Sequence, residues 1–203
     1  MTIWVFGDSF STNYKVDIEQ SWPEIIGVKL KQEVRNFAHQ AVDNFFIYSN
    51  YVDQKSKIQS EDIVLLQWTI PSRKMFIFDE NNTSHKVAVQ SDNISITRNN
   101  ITYFRSDTKK IKGWLPSINN KDHGIEFFDN WYKNYFDMKE CNLNLQAYKT
   151  ASRADNTIHL SFDRMLNFIR KNKLYISEDD LHPNPEGHKR LANNIMEKIN
   201  AFL

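Results

Sequence analysis

The chain opens with a short apolar run, Thr2-Ile3-Trp4-Val5-Phe6, that stops at Gly7-Asp8-Ser9-Phe10-Ser11. An apolar run of this length ended by glycine fits a buried strand running into a turn. Gly7 lets the backbone bend sharply and leaves Ser9 beyond the strand's carboxyl end, where open α/β sheets place their ligands. Near the other end the chain reads Asp179-Asp180-Leu181-His182-Pro183-Asn184-Pro185-Glu186-Gly187-His188. A serine on a tight turn and a distant Asp-x-x-His are the three groups that serine acyl transfer needs, so the two ends are expected to meet at one site.

The roles follow from elementary chemistry. A serine hydroxyl is a poor nucleophile until an imidazole takes its proton, and a carboxylate must fix that imidazole's tautomer and stabilise its charged form. His182 is the expected base. Asp179, three residues before it, is the expected turn partner, with the neighbouring Asp180 as the alternative carboxylate.

The rest of the chain alternates strands with helices, which favours a parallel sheet covered on both faces. Ser21-Trp22-Pro23-Glu24 reads as a helix start with Ser21 as cap, Pro23 in the first turn and Glu24 as a capping-box acid. A second helix is expected from Asp43 to about Val52, leading to a buried strand over Ile63–Trp68. A long helix is expected from about Asn130 to Ala151, then a strand over Thr157–Phe162, and a last helix from Asn184-Pro185 that buries Leu191, Ile195, Ile199 and Phe202. Between about residues 76 and 122 the rhythm fails. That stretch is rich in Asn and Ser, and its alternations predict a β-hairpin across Arg98-Asn99-Asn100, an insertion placed where it can cap Ser9 or serve as a surface excursion or an oligomer contact.

Taken together, Gly7-Asp8-Ser9 behind its strand and Asp179-x-x-His182-Pro183 near the end resemble the SGNH hydrolases, the GDSL-type esterase and lipase family. The resemblance implies a three-layer α/β/α, flavodoxin-like fold with a central parallel sheet and a single domain over 1–203. It also implies Ser9 as nucleophile, His182 as general base and Asp179 as its partner.

The middle blocks match less closely. Val34-Arg35-Asn36-Phe37-Ala38-His39-Gln40-Ala41-Val42-Asp43-Asn44 resembles the family's second block, with Ala41 where glycine is usual. The backbone N–H groups of Ser9 and Ala41 are the expected oxyanion donors, since alanine still carries the donor. In Asp62-Ile63-Val64-Leu65-Leu66-Gln67-Trp68-Thr69, Gln67 and Thr69 stand where the family's Gly-x-Asn would fall, so the usual asparagine donor is missing. Thr69, Gln67 and Asn44 can each donate a hydrogen bond in its place, Thr69 first because it holds the aligned position. Asp8, Gln67 and Arg73 are the further candidates for substrate contact.

Composition narrows the partners. With 203 residues and a formal net charge of +1, the chain has room for one substantial α/β domain and carries no broad basic footprint for nucleic acid. The run Lys109-Lys110-Ile111-Lys112 reads as a solvated loop, and the lone Cys141 supports neither an intramolecular disulfide nor a zinc cluster. No basic segment precedes a long apolar run at the N-terminus, and no stretch has transmembrane length, so a soluble, cytoplasmic chain is expected. The chemistry requires no metal or organic cofactor. The expected partner is a small-molecule or carbohydrate ester, with neither nucleic acid nor membrane. A serine ester hydrolase leads; an acyltransferase, or a carbohydrate-binding or assembly protein with weakened catalysis, is the alternative that the altered third block suggests.

Overall fold

The computed structural model describes residues 1–40, 42–71, 73–80, 83–89, 94–98, 101–105 and 138–201. They form two compact units, Met1–Ile70 with Tyr148–Leu203, and Pro71–Ala147.

The first unit is built on a parallel four-stranded sheet. Its strands are β1 (Thr2–Phe6), β2 (Glu33–Asn36), β3 (Ile63–Trp68) and β8 (Thr157–Ser161), in the order β2-β1-β3-β8. β1 lies in parallel register with both neighbours, Val5 opposite Asn36 on one side and Leu65 on the other. The chain therefore winds one way from β1 to β2 and the other way to β3, the flavodoxin-type switch that opens a crevice at the carboxyl ends of β1 and β3. β1 and β3 are apolar because both their faces are covered. Ile3, Val5, Ile63, Leu65, Ile158 and Leu160 pack with Trp22 and Ile26 of α1 (Trp22–Leu30), Met165 and Ile169 of α4 (Phe162–Lys171), and Leu191 and Ile195 of α5 (Pro185–Asn200). On the opposite face Phe6 meets Tyr51 of α2 (Asn44–Gln54) edge-on, and Trp4 and Phe6 stack on Phe37. Each fully buried side chain of this size contributes about 1.5–3 kcal/mol, so the layered core rather than helix propensity holds the frame. The edge strand β2 shows charge to solvent at Glu33 and Arg35, which discourages further pairing.

The starts of α2 and α5 are specified locally, whereas that of α1 is not. Asp43 caps α2 through Phe46 N–H, and Asn184 caps α5 through Gly187 N–H, followed by Pro185 in the first turn. Ser21 occupies the cap position of α1, but its hydroxyl donates to Ile18 O instead of capping. The first amide of α1, Trp22 N–H, is accepted by His188 Nδ1 at 3.2 Å. A side chain 166 positions away thus does what a local capping box was expected to do.

The second unit contains an antiparallel meander of β4 (Lys74–Glu80), β5 (Thr83–Val89), β6 (Ile94–Arg98) and β7 (Ile101–Arg105), in that order. Arg98 pairs with Ile101, which puts the β6–β7 hairpin where the alternation predicted it. The long helix, α3, is described as Met138–Ala151; its expected first part, with Trp131 and Tyr135, lies outside the described residues. Among the described residues no helix is long and apolar enough to cross a membrane.

Candidate active site

The turn after β1 is held by buried polar groups from within the sheet. Gln67, fully buried at the end of β3, accepts Asp8 N–H at 2.9 Å and the Ser11 hydroxyl at 3.0 Å through Oε1, and donates through Nε2 to Trp68 O at 2.7 Å. A Cβ on residue 7 would lie 2.7 Å from both Gln67 Oε1 and Ser11 Oγ, so this close approach is what requires glycine. Asp8 is also buried, and its carboxylate caps the 3-10 turn Ser9–Ser11 by accepting Phe10 N–H at 2.9 Å. Ser11 N–H donates to Asp8 O and Thr12 N–H to Ser9 O. Every amide of this turn is therefore taken except that of Ser9, which donates to no acceptor among the described residues. Asp8 and Gln67, expected as substrate contacts, shape the turn that presents Ser9.

His182 comes to Ser9 on a short strand. β9 (Tyr175–Ser177) and β10 (Asp180–Pro183) pair antiparallel, and the chain then enters α5. Gly187 in the first turn of α5 sits where a Cβ would fall 2.4 Å from Leu174 O, so the helix start is pressed against the entry to β9. This fixes the height of β10. His182 Nε2 lies 2.8 Å from Ser9 Oγ, so groups 173 positions apart meet as the sequence led us to expect.

The carboxylate on the far side of the imidazole is that of Asp180, not Asp179. His182 Nδ1 lies 2.7 Å from Asp180 Oδ1, whereas Asp179 is exposed. The expectation of Asp179 assumed a turn, in which residues three apart approach. The segment is extended, and in extended backbone residues two apart share a face. That geometry selects Asp180.

Among the described residues, three further side chains flank the Asp180–His182 pair, and none was singled out from the sequence. The rings of Tyr14 and Phe10 lie 4.3 and 5.2 Å from the imidazole, centre to centre. Lys15 Nζ lies 2.7 Å from Asp180 Oδ2, the oxygen that His182 does not use. Burial pushes the Asp180 carboxyl up, but hydrogen bonds from Lys15 and His182 outweigh it and hold the group below its usual range. An ionised Asp180 can only accept, so His182 Nδ1 carries the proton and Nε2 is left to accept from the Ser9 hydroxyl.

The three side chains considered as substitutes for the missing asparagine have separate fates. Asn44 Oδ1 accepts Thr69 N–H at 2.9 Å and its amide nitrogen donates to Thr69 O and Ile70 O, at 3.2 and 3.4 Å, so it clamps the exit of β3. Gln67 is committed to the turn. Thr69 Oγ1, by contrast, is buried and has no hydrogen-bond partner among the described residues, leaving its proton unspent. Ala41 lies outside the described residues, and Arg73 belongs to the Pro71–Ala147 unit.

His188 is structural. It is 1% exposed, and burial, helped by the neighbouring His182, pushes its pKa down to about 4, so it stays neutral and caps α1. His159 accepts Trp68 Nε1–H at 2.9 Å, with the two rings near parallel. Among the described residues no group of His, Cys, Asp and Glu side chains is arranged to hold a metal ion.

No protein-family profile and no curated protein matches the sequence. Two solved structures are similar along nearly the whole chain. One, from Desulfitobacterium hafniense DCB-2 and assigned to the G-D-S-L lipolytic family, is 16% identical at a TM-score of 0.44, covering 100% of this chain and 99% of its own. The other, a member of the lipolytic protein G-D-S-L family from Veillonella parvula DSM 2008, is 16% identical at a TM-score of 0.46 and covers 97% of each chain.

Proposed function

We propose that this chain is a serine ester hydrolase in which Ser9 is the nucleophile, His182 the general base and Asp180 the carboxylate that orients it. The observation that carries the reading is the unbroken hydrogen-bonded line Ser9 Oγ, His182 Nε2, His182 Nδ1, Asp180 Oδ1, at 2.8 and 2.7 Å, beyond the carboxyl end of β1. Ser9 Oγ attacks an ester carbonyl while its proton passes to His182 Nε2. The resulting oxyanion is met by the unused Ser9 N–H and by the Thr69 hydroxyl, the one candidate side-chain donor with no other bond among the described residues. The intermediate collapses by breaking the bond to the alcohol, which leaves with the proton from His182, and an acyl-Ser9 ester remains. Water, deprotonated by His182, attacks that ester, and the acid and free Ser9 are released.

Ser9 is 8% exposed and its histidine is flanked by Phe10 and Tyr14, which suits a small acyl group. The sequence offers no long apolar segment for a lipid chain, so the carrier is a polar alcohol such as a carbohydrate.

The test is hydrolysis of a small activated acetate ester together with labelling by a fluorophosphonate. The reading expects turnover in the parent protein, labelling at Ser9, and loss of both in a folded Ser9→Ala variant. Labelling that persists in Ser9→Ala removes Ser9 from the chemistry. Labelled Ser9 that passes its acyl group to an added alcohol faster than to water identifies an acyltransferase. A parent protein that neither labels nor turns over, yet binds a carbohydrate, would instead be a binding protein on the same scaffold.

A further inference from the structure

Among the described residues, Lys15 is the one cation that touches the candidate machinery. Its Nζ lies 2.7 Å from Asp180 Oδ2, while Oδ1 of the same carboxylate faces His182 Nδ1 at 2.7 Å. The two bonds grip opposite oxygens, so the carboxylate cannot rotate without breaking one of them. Lys15 also holds a backbone φ of 55°, in the left-handed region. The other two non-glycine residues of this kind among the described residues, Lys31 and Lys173, follow helices α1 and α4, where such a conformation is common. Lys15 instead ends the turn that follows Ser9–Ser11, and the conformation brings a side chain from the first loop to a strand 165 positions later.

We propose that Lys15 is a positioning residue for the Asp180–His182 pair: it locks the carboxylate rotamer and, by its charge, keeps the imidazole free to accept the Ser9 proton under more acidic conditions. This inference rests on the hydrolase reading, and it deepens it. An Asp180 shared between Lys15 and His182 gives up part of its field to Lys15, and the ammonium repels an imidazolium forming on the other side of the carboxylate. Among the described residues, the charged and titratable groups around the Asp180–His182 pair are Lys15 and Tyr14 from the first loop, Asp180 on the strand of His182 itself, and His188 from α5. His188 is neutral, which leaves Lys15 as the cation among them.

An exposed ammonium is screened by water, and Lys15 is 53% exposed, so the effect is moderate. The experiment is a titration of the histidine ring carbons by NMR in the full chain, for the parent, Lys15→Met and Lys15→Arg, with the His182 signal identified by its absence in His182→Ala. In Lys15→Met the His182 midpoint is expected to rise by about half a pH unit, and in Lys15→Arg to return to the parent position. The acid limb of kcat/KM on the acetate ester should move by the same amount in the same direction. A midpoint that stays put in Lys15→Met, with the variant folded, overturns the inference. So does a rise that Lys15→Arg does not reverse. A parent protein with no Ser9-dependent turnover overturns the hydrolase reading separately, because the NMR midpoint reports on Lys15 without any turnover.

Discussion

Asp180 and His182 lie two residues apart on one face of β10, and their side chains meet at 2.7 Å. The neighbour Asp179 is exposed, although its carboxylate stands at the spacing a turn would favour. Replacing Asp180 by Asn should therefore favour the wrong imidazole tautomer and lower kcat/KM by roughly 10³-fold or more. Asp179→Asn should leave kcat/KM within about twofold, as expected for an exposed surface substitution. Steady-state kinetics on an activated ester distinguish the two, and a larger loss in the Asp179 variant would contradict the assignment.

Gln67 ties the serine turn to the sheet. Gln67→Leu would leave Asp8 N–H and the Ser11 hydroxyl buried without their acceptor, at about 1–3 kcal/mol for each orphaned group. Chemical denaturation should show a loss of about 2–6 kcal/mol, and fluorophosphonate labelling of Ser9 should slow even where the protein remains folded. Unchanged stability would mean that these bonds do not hold the turn.

Thr69 separates stability from activity. Its buried hydroxyl lacks a partner among the described residues, so Thr69→Val should stabilise the fold by about 1 kcal/mol by removing an unsatisfied polar group. The same change should lower kcat by about 10²- to 10³-fold if that hydroxyl meets the oxyanion. Thr69→Ser, which retains the donor, should preserve most of the rate. A Thr69→Val variant with full turnover would remove Thr69 from the oxyanion site.

His188 predicts an acid-sensitive fold. Its pKa falls from 6.5 when the chain is unfolded to about 4 in the folded protein, so protons bind the unfolded state more readily between those values. Its contribution to stability should be complete above pH 6.5 and decline towards about pH 4, by at most about 1.4 kcal/mol per pH unit. His188→Gln, which still offers an acceptor to Trp22 N–H, should flatten that part of the stability profile. Denaturation curves at several pH values measure the slope; an equal slope in parent and variant would place the acid sensitivity elsewhere.

Much of this was legible in the residues alone because the signals are local. The apolar run before Gly7, the capping residues Asp43 and Asn184, and the period-two alternation around Arg98 each mark an element through contacts within a few positions. The pairing of Ser9 with His182 was legible for a different reason: the chemistry of a serine nucleophile demands a base, and one loop near the chain's end offers it. What the sequence could not decide was the role of each polar residue that has two plausible uses. Asp8 and Gln67 read as substrate contacts and Asn44 as an oxyanion donor, and only the approach of β3 to the serine turn and to α2 bonds them to buried backbone groups. The choice between Asp179 and Asp180 turned on whether the segment is a turn or a strand, and β10 is a strand only because β9 pairs with it. His188 as the cap of α1, and Lys15 as the second partner of Asp180, join positions more than 160 residues apart, and only packing in three dimensions brings such groups together.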